Sequence, residues 1–144
     1  MTVSQILQSK PINDVATISS TKSMADAAGV MSSLRIGALV VSEDGKSVDG
    51  ILSERDIVRE IGKRGPGCLS DSISECMTKD IITCKISDTA DAVLGKMTKG
   101  RFRHLPVVED GTMIGLISIG DVVKARLSEI SMENEAMESM IKGF

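Results

Sequence analysis

"GLISIGDVV", Gly115 to Val123, ends an apolar run on a serine and places an aspartate three positions later. Nearly the same stretch occurs earlier as "GILSERDIV", Gly50 to Val58. Ser-x-x-Asp after a strand admits two readings. It can start a helix, the serine oxygen accepting from the third backbone N–H and the acidic group sitting at the positive helix end. It can also hold a ligand. A carboxylate can accept from both hydroxyls of a ribose, and the N–H groups of a helix start suit phosphate. The capping box prefers Glu or Gln at its last position, because a longer side chain reaches back; both copies have Asp. The residues between differ, "ER" against "IG", while Ser and Asp stay. Both points favour the ligand.

Outward from these two stretches, the chain matches itself. At a shift of 66, Thr17 falls on Thr83, Gly29 on Gly95, Met31 on Met97, Arg35 on Arg101 and Leu39 on Leu105. "EDG" at 43–45 falls on "EDG" at 109–111. One residue is missing from the second turn, and the shift becomes 65: Gly50 meets Gly115, Ser53 meets Ser118 and Asp56 meets Asp121.

Each unit reads as β-α-β-β-α, an α+β class. A short strand comes first, Val15–Ile18 and Ile81–Cys84, then a helix, about 22–33 and 88–99. Met24, Ala27, Ala28 and Met31 lie at helical spacing, as do Ala90, Val93, Leu94 and Met97. Two apolar runs flank each Asp-Gly, a hairpin signal, and the final helix starts at Ser-x-x-Asp. The expected organisation is repeat 1 over 1–62, a Gly/Pro/Ser-rich linker over 63–75, repeat 2 over 76–127 and a C-terminal helix over 128–144. "SQILQ" and "SISECM" read as short helices, each leading into its own unit. In the tail, Met132, Ala136, Met140 and Phe144 are four apart, with glutamates around them. That is an amphipathic helix expected to cover its own domain or a dimer mate.

Composition excludes several classes. A net charge of −3 argues against phosphate neutralisation on nucleic acid. Phe102 and Phe144 are the only aromatics, too few for base stacking. No apolar run approaches the roughly 20 residues of a membrane span. Cys68, Cys76 and Cys84 are odd in number and eight apart, which fits neither a disulfide framework nor a zinc site. They read as small hydrophobes in a reducing cytoplasm. No metal or required cofactor is expected. His104 is the single histidine, and no nucleophile–base pair accompanies it, so no enzyme is expected.

"RFRHLPVVEDGTMIGLISIGDVV" and its weaker echo "RIGALVVSEDGKSVDGILSERDIV" resemble the CBS domain, named after cystathionine β-synthase. The resemblance covers about residues 3–127. A tandem pair of this kind is a Bateman module. It implies two repeats packed through their sheets about a pseudo-twofold axis, commonly as a homodimer. It also implies adenosyl ligands in clefts between the repeats: AMP first, with ATP, ADP or NAD as alternatives. Carried over residue by residue, Asp56 and Asp121 would hold ribose, with Ser53 and Ser118 as hydroxyl partners. The cleft at Asp56 would be completed by Thr78, Ile82, Phe102, Arg103 and His104, and the one at Asp121 by Lys10, Ala16, Ile36, Gly37 and Ala38. Arg55, Arg103 and His104 would make the first cleft the better phosphate site, leaving Lys10 as the charge of the second. The usual Leu-Pro-Val stands at Leu105-Pro106-Val107, but reads Leu39-Val40-Val41 in the first repeat. The resemblance implies a regulatory sensor acting on a partner protein; the alternative is a ligand-independent dimerisation scaffold. It extends to the pair inside IMP dehydrogenase, whose barrel of roughly 250 residues has no counterpart here.

Overall fold

The structure is a computed structural model that describes residues 1–10 and 15–141. Phe144, the last residue of the tail pattern, lies outside them. The fold is two α+β repeats, as the self-match implies. In the first, β1 (Thr17–Ile18) runs parallel to β2 (Ala38–Val41), which pairs antiparallel with β3 (Gly50–Ser53). Helix α2 (Met24–Leu34) lies between β1 and β2, and α3 (Glu54–Arg64) follows β3. In the second, α5 (Ala90–Gly100) precedes β4 (His104–Glu109), β5 (Thr112–Ser118) and α6 (Ile119–Ile141).

The local chemistry explains the elements. The second hairpin turns on Asp110 and Gly111, at φ 50° and 77°, the left-handed pair of a two-residue turn. Ser23 and Thr89 cap α2 and α5, each accepting from an N–H three residues on. Met24, Ala27 and Met31 bury one face of α2, and Ala90, Val93 and Met97 the matching face of α5. Arg35 and Arg101, paired by the 66-residue shift, both end their helices in the left-handed region.

Three expectations need correcting. Ile81–Cys84 is not a strand: only Cys84 bridges to Val107, in parallel. Ile82 stays exposed, on a cleft wall described below, instead of entering the sheet. The segment between the repeats is more than a connection, since it folds into a 3-10 turn (Pro66–Ser70) that buries Cys68. The tail is helical, but it is no separate helix covering its own domain. It continues α6 without a break, and Leu127, Ile130, Met132, Met137, Met140 and Ile141 stand exposed.

A fourth correction changes how the repeats are joined. Helices α1 (Val3–Ser9) and α4 (Ile73–Cys76) do not serve the units that follow them in sequence. Val3 and Ile6 are buried with Val93, Met97, Leu105 and Ile117, the core of the second repeat. Val3 N donates to Asp88 O at 2.8 Å, and Ala90 N to Met1 O at 2.9 Å. Ile73 is buried with Met24, Leu39 and Leu52, the core of the first. Its N donates to Lys22 O at 2.9 Å. Each core is therefore closed by the other half's leading helix. Gly50 and Gly115 make room for the crossing segments. A Cβ at Gly50 would stand 2.6 Å from Met77 Sδ, and one at Gly115 2.9 Å from a Leu7 methyl.

Candidate functional site

Both Ser-x-x-Asp stretches close capping boxes. Ser53 Oγ accepts from Asp56 N at 3.2 Å, and Ser53 N donates to Asp56 Oδ2 at 2.9 Å. Ser118 and Asp121 repeat this at 3.1 and 2.9 Å. Aspartate is therefore long enough, and the preference for Glu or Gln does not count against a capping box here. Ser23 and Asp26 form the same box on α2, away from any cleft. Capping and ligand holding are thus not exclusive, and the box by itself is not diagnostic.

What distinguishes Asp56 and Asp121 is where their helices begin. Register places Ala38 opposite Ser53 and His104 opposite Ser118. Glu54 N donates to Gly37 O at 2.9 Å, and Ile119 N to Arg103 O at 2.8 Å. These ties hold both helix starts against the segments where the two repeats meet. They also use N–H groups that the sequence reading offered to phosphate.

Two clefts lie there. The first, about 480 Å³, is lined by Ser53, Arg55, Asp56, Thr78, Ile82, Phe102, Arg103 and His104, all of the residues named for it. The second, about 580 Å³, is lined by Lys10, Ala16, Ile36, Gly37, Ala38, Ser118 and Asp121, again all of those named. Both volumes suit a small organic ligand. Gly37, His104 and Ser118 reach both clefts, so one thin wall separates them.

The clefts differ in charge. Arg55, Arg59, Arg101 and Arg103 face Glu54, Asp56 and Asp80 in the first. Arg59 Nη2 donates to Asp56 Oδ1 at 2.6 Å. Among the described residues, Arg55, Arg101 and Arg103 make no ion pair. In the second, the Lys10 ammonium is spent: its Nζ donates to Asp121 Oδ2 at 2.9 Å and to Leu116 O at 3.0 Å. Leu7, Val15, Leu34, Ile36 and Leu116 make the rest of that wall apolar. Arg59, Glu54 and Asp80 were not read from sequence; for Arg59, its place one helical turn after Asp56 was the available signal.

Burial pushes the Asp121 carboxyl up, but the Ser118 N–H and Lys10 pull harder, and it titrates below its ordinary value. Burial also lowers His104 from its ordinary 6.5, against the pull of Asp121 and Glu54 and together with Lys10 and Arg103. Its ring is therefore neutral at pH 7, which removes it as a phosphate-facing cation in the ligand-free chain. The unfolded chain binds this proton more readily than the folded one. Stability from this group is complete above about pH 6.5 and shrinks as pH falls through that value. Melting curves between pH 5.5 and 7.5 (about one unit either side of that value) are expected to show this loss in the wild type and a flatter profile in His104→Gln. An unchanged profile would assign the loss to other groups.

Among the described residues no His, Cys, Asp or Glu cluster could hold a metal ion, and no helix is long and apolar enough to cross a membrane. All three cysteines are free.

The fold has relatives. The CBS-domain containing protein ATU1752 from Agrobacterium tumefaciens is 43% identical and superposes with a TM-score of 0.83, over 88% of this chain and 99% of that one. The CBS domain pair of protein MJ0100, solved in complex with 5′-methylthioadenosine and S-adenosyl-L-methionine, is 26% identical. It superposes with a TM-score of 0.76 over 90% of this chain and 98% of that one. The Arabidopsis thaliana CBS domain-containing protein CBSX3, mitochondrial, is 36% identical over 122 residues, 82% of this chain and 59% of that protein. The chain thus spans 59% of that relative's length, and 25% of a second one, CBSCBSPB1 of the same plant. The CBS domain pattern itself matches residues 3–63 and again 73–128. With one match in each half, the chain belongs to the CBS-domain family as a tandem pair.

Proposed function

We propose that the chain is a regulatory module that binds adenosine-bearing small molecules in its two clefts and signals their occupancy to a partner protein. AMP is the foremost ligand, with ATP, ADP or NAD as alternatives. The observation that carries this reading is that each cleft between the repeats has a helix-capping aspartate on its wall. A ribose can take the carboxylate's remaining acceptor capacity. The likeness to the MJ0100 pair, solved with two adenosyl compounds, supports the ligand class. The module acts as a sensor and not as an enzyme. Exposed Leu34 and Val58 on α2 and α3 favour a homodimer that covers them. Its free and largely buried cysteines favour a reducing compartment such as the cytoplasm.

One observation favours a second reading. Both aspartates are already satisfied within the chain, Asp56 by Arg59 and Asp121 by Lys10. A ligand-independent dimerisation scaffold needs nothing more. Thermal shifts with AMP, ADP, ATP, NAD, NADH and S-adenosylmethionine separate the two. A ligand at 100 times its Kd is expected to add about 2.7 kcal/mol. No shift with any of them would leave the scaffold. Asp56→Ala and Asp121→Ala are each expected to weaken binding at their own cleft about tenfold, the low end for a charged acceptor, because the lysine or arginine must be traded away. Each also loses the acidic arm of its capping box, the bond from the serine N–H, at about 1 kcal/mol of stability, while the serine cap itself stays. A lower melting temperature with unchanged affinity would mean the carboxylates only cap.

A further inference from the structure

The exposed part of α6 carries a second periodicity, distinct from the four-residue spacing of its methionines. Val123, Leu127, Ile130, Asn134, Met137 and Ile141 alternate steps of four and three. That is the seam of a two-stranded coiled coil, with Leu127, Asn134 and Ile141 at a positions and Val123, Ile130 and Met137 at d. In sequence the next d position is Phe144. The side that α6 turns to its own domain is another one: Val122 and Ala125 are buried there, and Arg126 and Glu129 half-buried. The seam lies roughly a third of a turn away, with Leu127 62% and Ile141 80% exposed. An apolar seam of this length has no reason to face water.

From this seam we infer that α6 pairs antiparallel with α6 of a second copy, Leu127 of each against Met137 of the other. This rests on the homodimer put forward above and adds to its α2 and α3 faces a contact between the two α6 helices. Charge chooses the arrangement, and the single polar seam residue fixes the register. The flanks are basic early, at Lys124, and acidic late, at Glu133 and Glu138. A parallel pair would set Glu133 against Glu138 of the other copy on both sides. The antiparallel pair sets Lys124 against Glu138 twice and opposes like charges only at Glu133, near the axis. Among the described residues Lys124 makes no ion pair within its own chain. The same register brings the two Asn134 side chains to either side of the axis, about 6 Å apart along it. A carboxamide both donates and accepts, so the two satisfy one another. Sliding the helices by one heptad separates them, and a lone polar residue at an a position is what fixes a register.

The test uses the full chain with Cys76→Ser, so that the remaining native thiols, Cys68 and Cys84, are buried. Leu127→Cys and Met137→Cys are made separately; both sites are exposed, and the fold tolerates the change. The proposal expects a dimer by light scattering for the parent. It also expects a disulfide between the two variants when they are mixed and oxidised, and little within either variant alone. Disulfides within each variant alone would overturn the antiparallel arrangement. A dimeric parent with no disulfide in any mixture would overturn the seam as the interface and leave the dimer to other faces. A monomeric parent would overturn the dimer itself, and the seam pairing with it.

Discussion

Ile6→Ala is expected to lower the free energy of unfolding by about 2–5 kcal/mol, the range for truncating a large aliphatic side chain in a closed core. Ile6 is 2% exposed and packs among second-repeat residues. Hydrogen exchange gives the informative readout. Amides of β4, β5 and α5 should lose protection first, although the change lies at the other end of the sequence. Ile73→Ala is the mirror experiment. Ile73 is fully buried in the first core, so β2, β3 and α2 should loosen first. If each variant instead loosened the repeat that follows it in sequence, the crossed packing of α1 and α4 would be wrong.

Arg103→Ala is expected to weaken AMP about ten- to a hundredfold and to change adenosine affinity about twofold or less. A hydrogen bond to a charged group is worth roughly 1.5–3 kcal/mol, and arginine can grip phosphate with two parallel bonds. Arg103 is exposed on the first cleft. The tie it makes to the α6 start is through its backbone carbonyl, which alanine keeps. Added salt should weaken AMP binding in the wild type and less so in the variant. The second cleft, with Lys10 already held by Asp121, should discriminate little between AMP and adenosine. Calorimetry with both ligands checks this. Equal loss for AMP and adenosine would mean that Arg103 shapes the cleft and does not hold phosphate.

The repeat was legible because each hairpin repeats its Asp-Gly and each core helix its small-and-large apolar face. The residues around both clefts were legible through the family pattern, which ties positions distant in sequence. The crossing of α1 and α4 was not. A helix pattern states which face is apolar, and two near-identical cores offer that face equal homes. The capping boxes were misread in part. With Ser53 extended, at ψ 161°, aspartate reaches the cap N–H without a longer side chain. Ile81 and Ile82 read as strand because β-branched residues favour one, yet they line the wall of the first cleft. Nothing in a propensity separates those two uses.

The crossed helices also set an order of events on the ribosome. The first core needs residues only up to about Met77, so it can close while the second half is still being made. Val3 and Ile6 cannot be buried until Val122 and Ala125 have emerged. At a synthesis rate of about 5–20 residues per second, that wait is roughly 6–24 s. In the later part of it, once Met77 has emerged, the nascent chain carries a finished half beside an apolar helix that still lacks its core. The final step joins Lys10 to Asp121 across 111 positions of sequence. Closure of the second half is thus the slow, long-range event in the maturation of this chain.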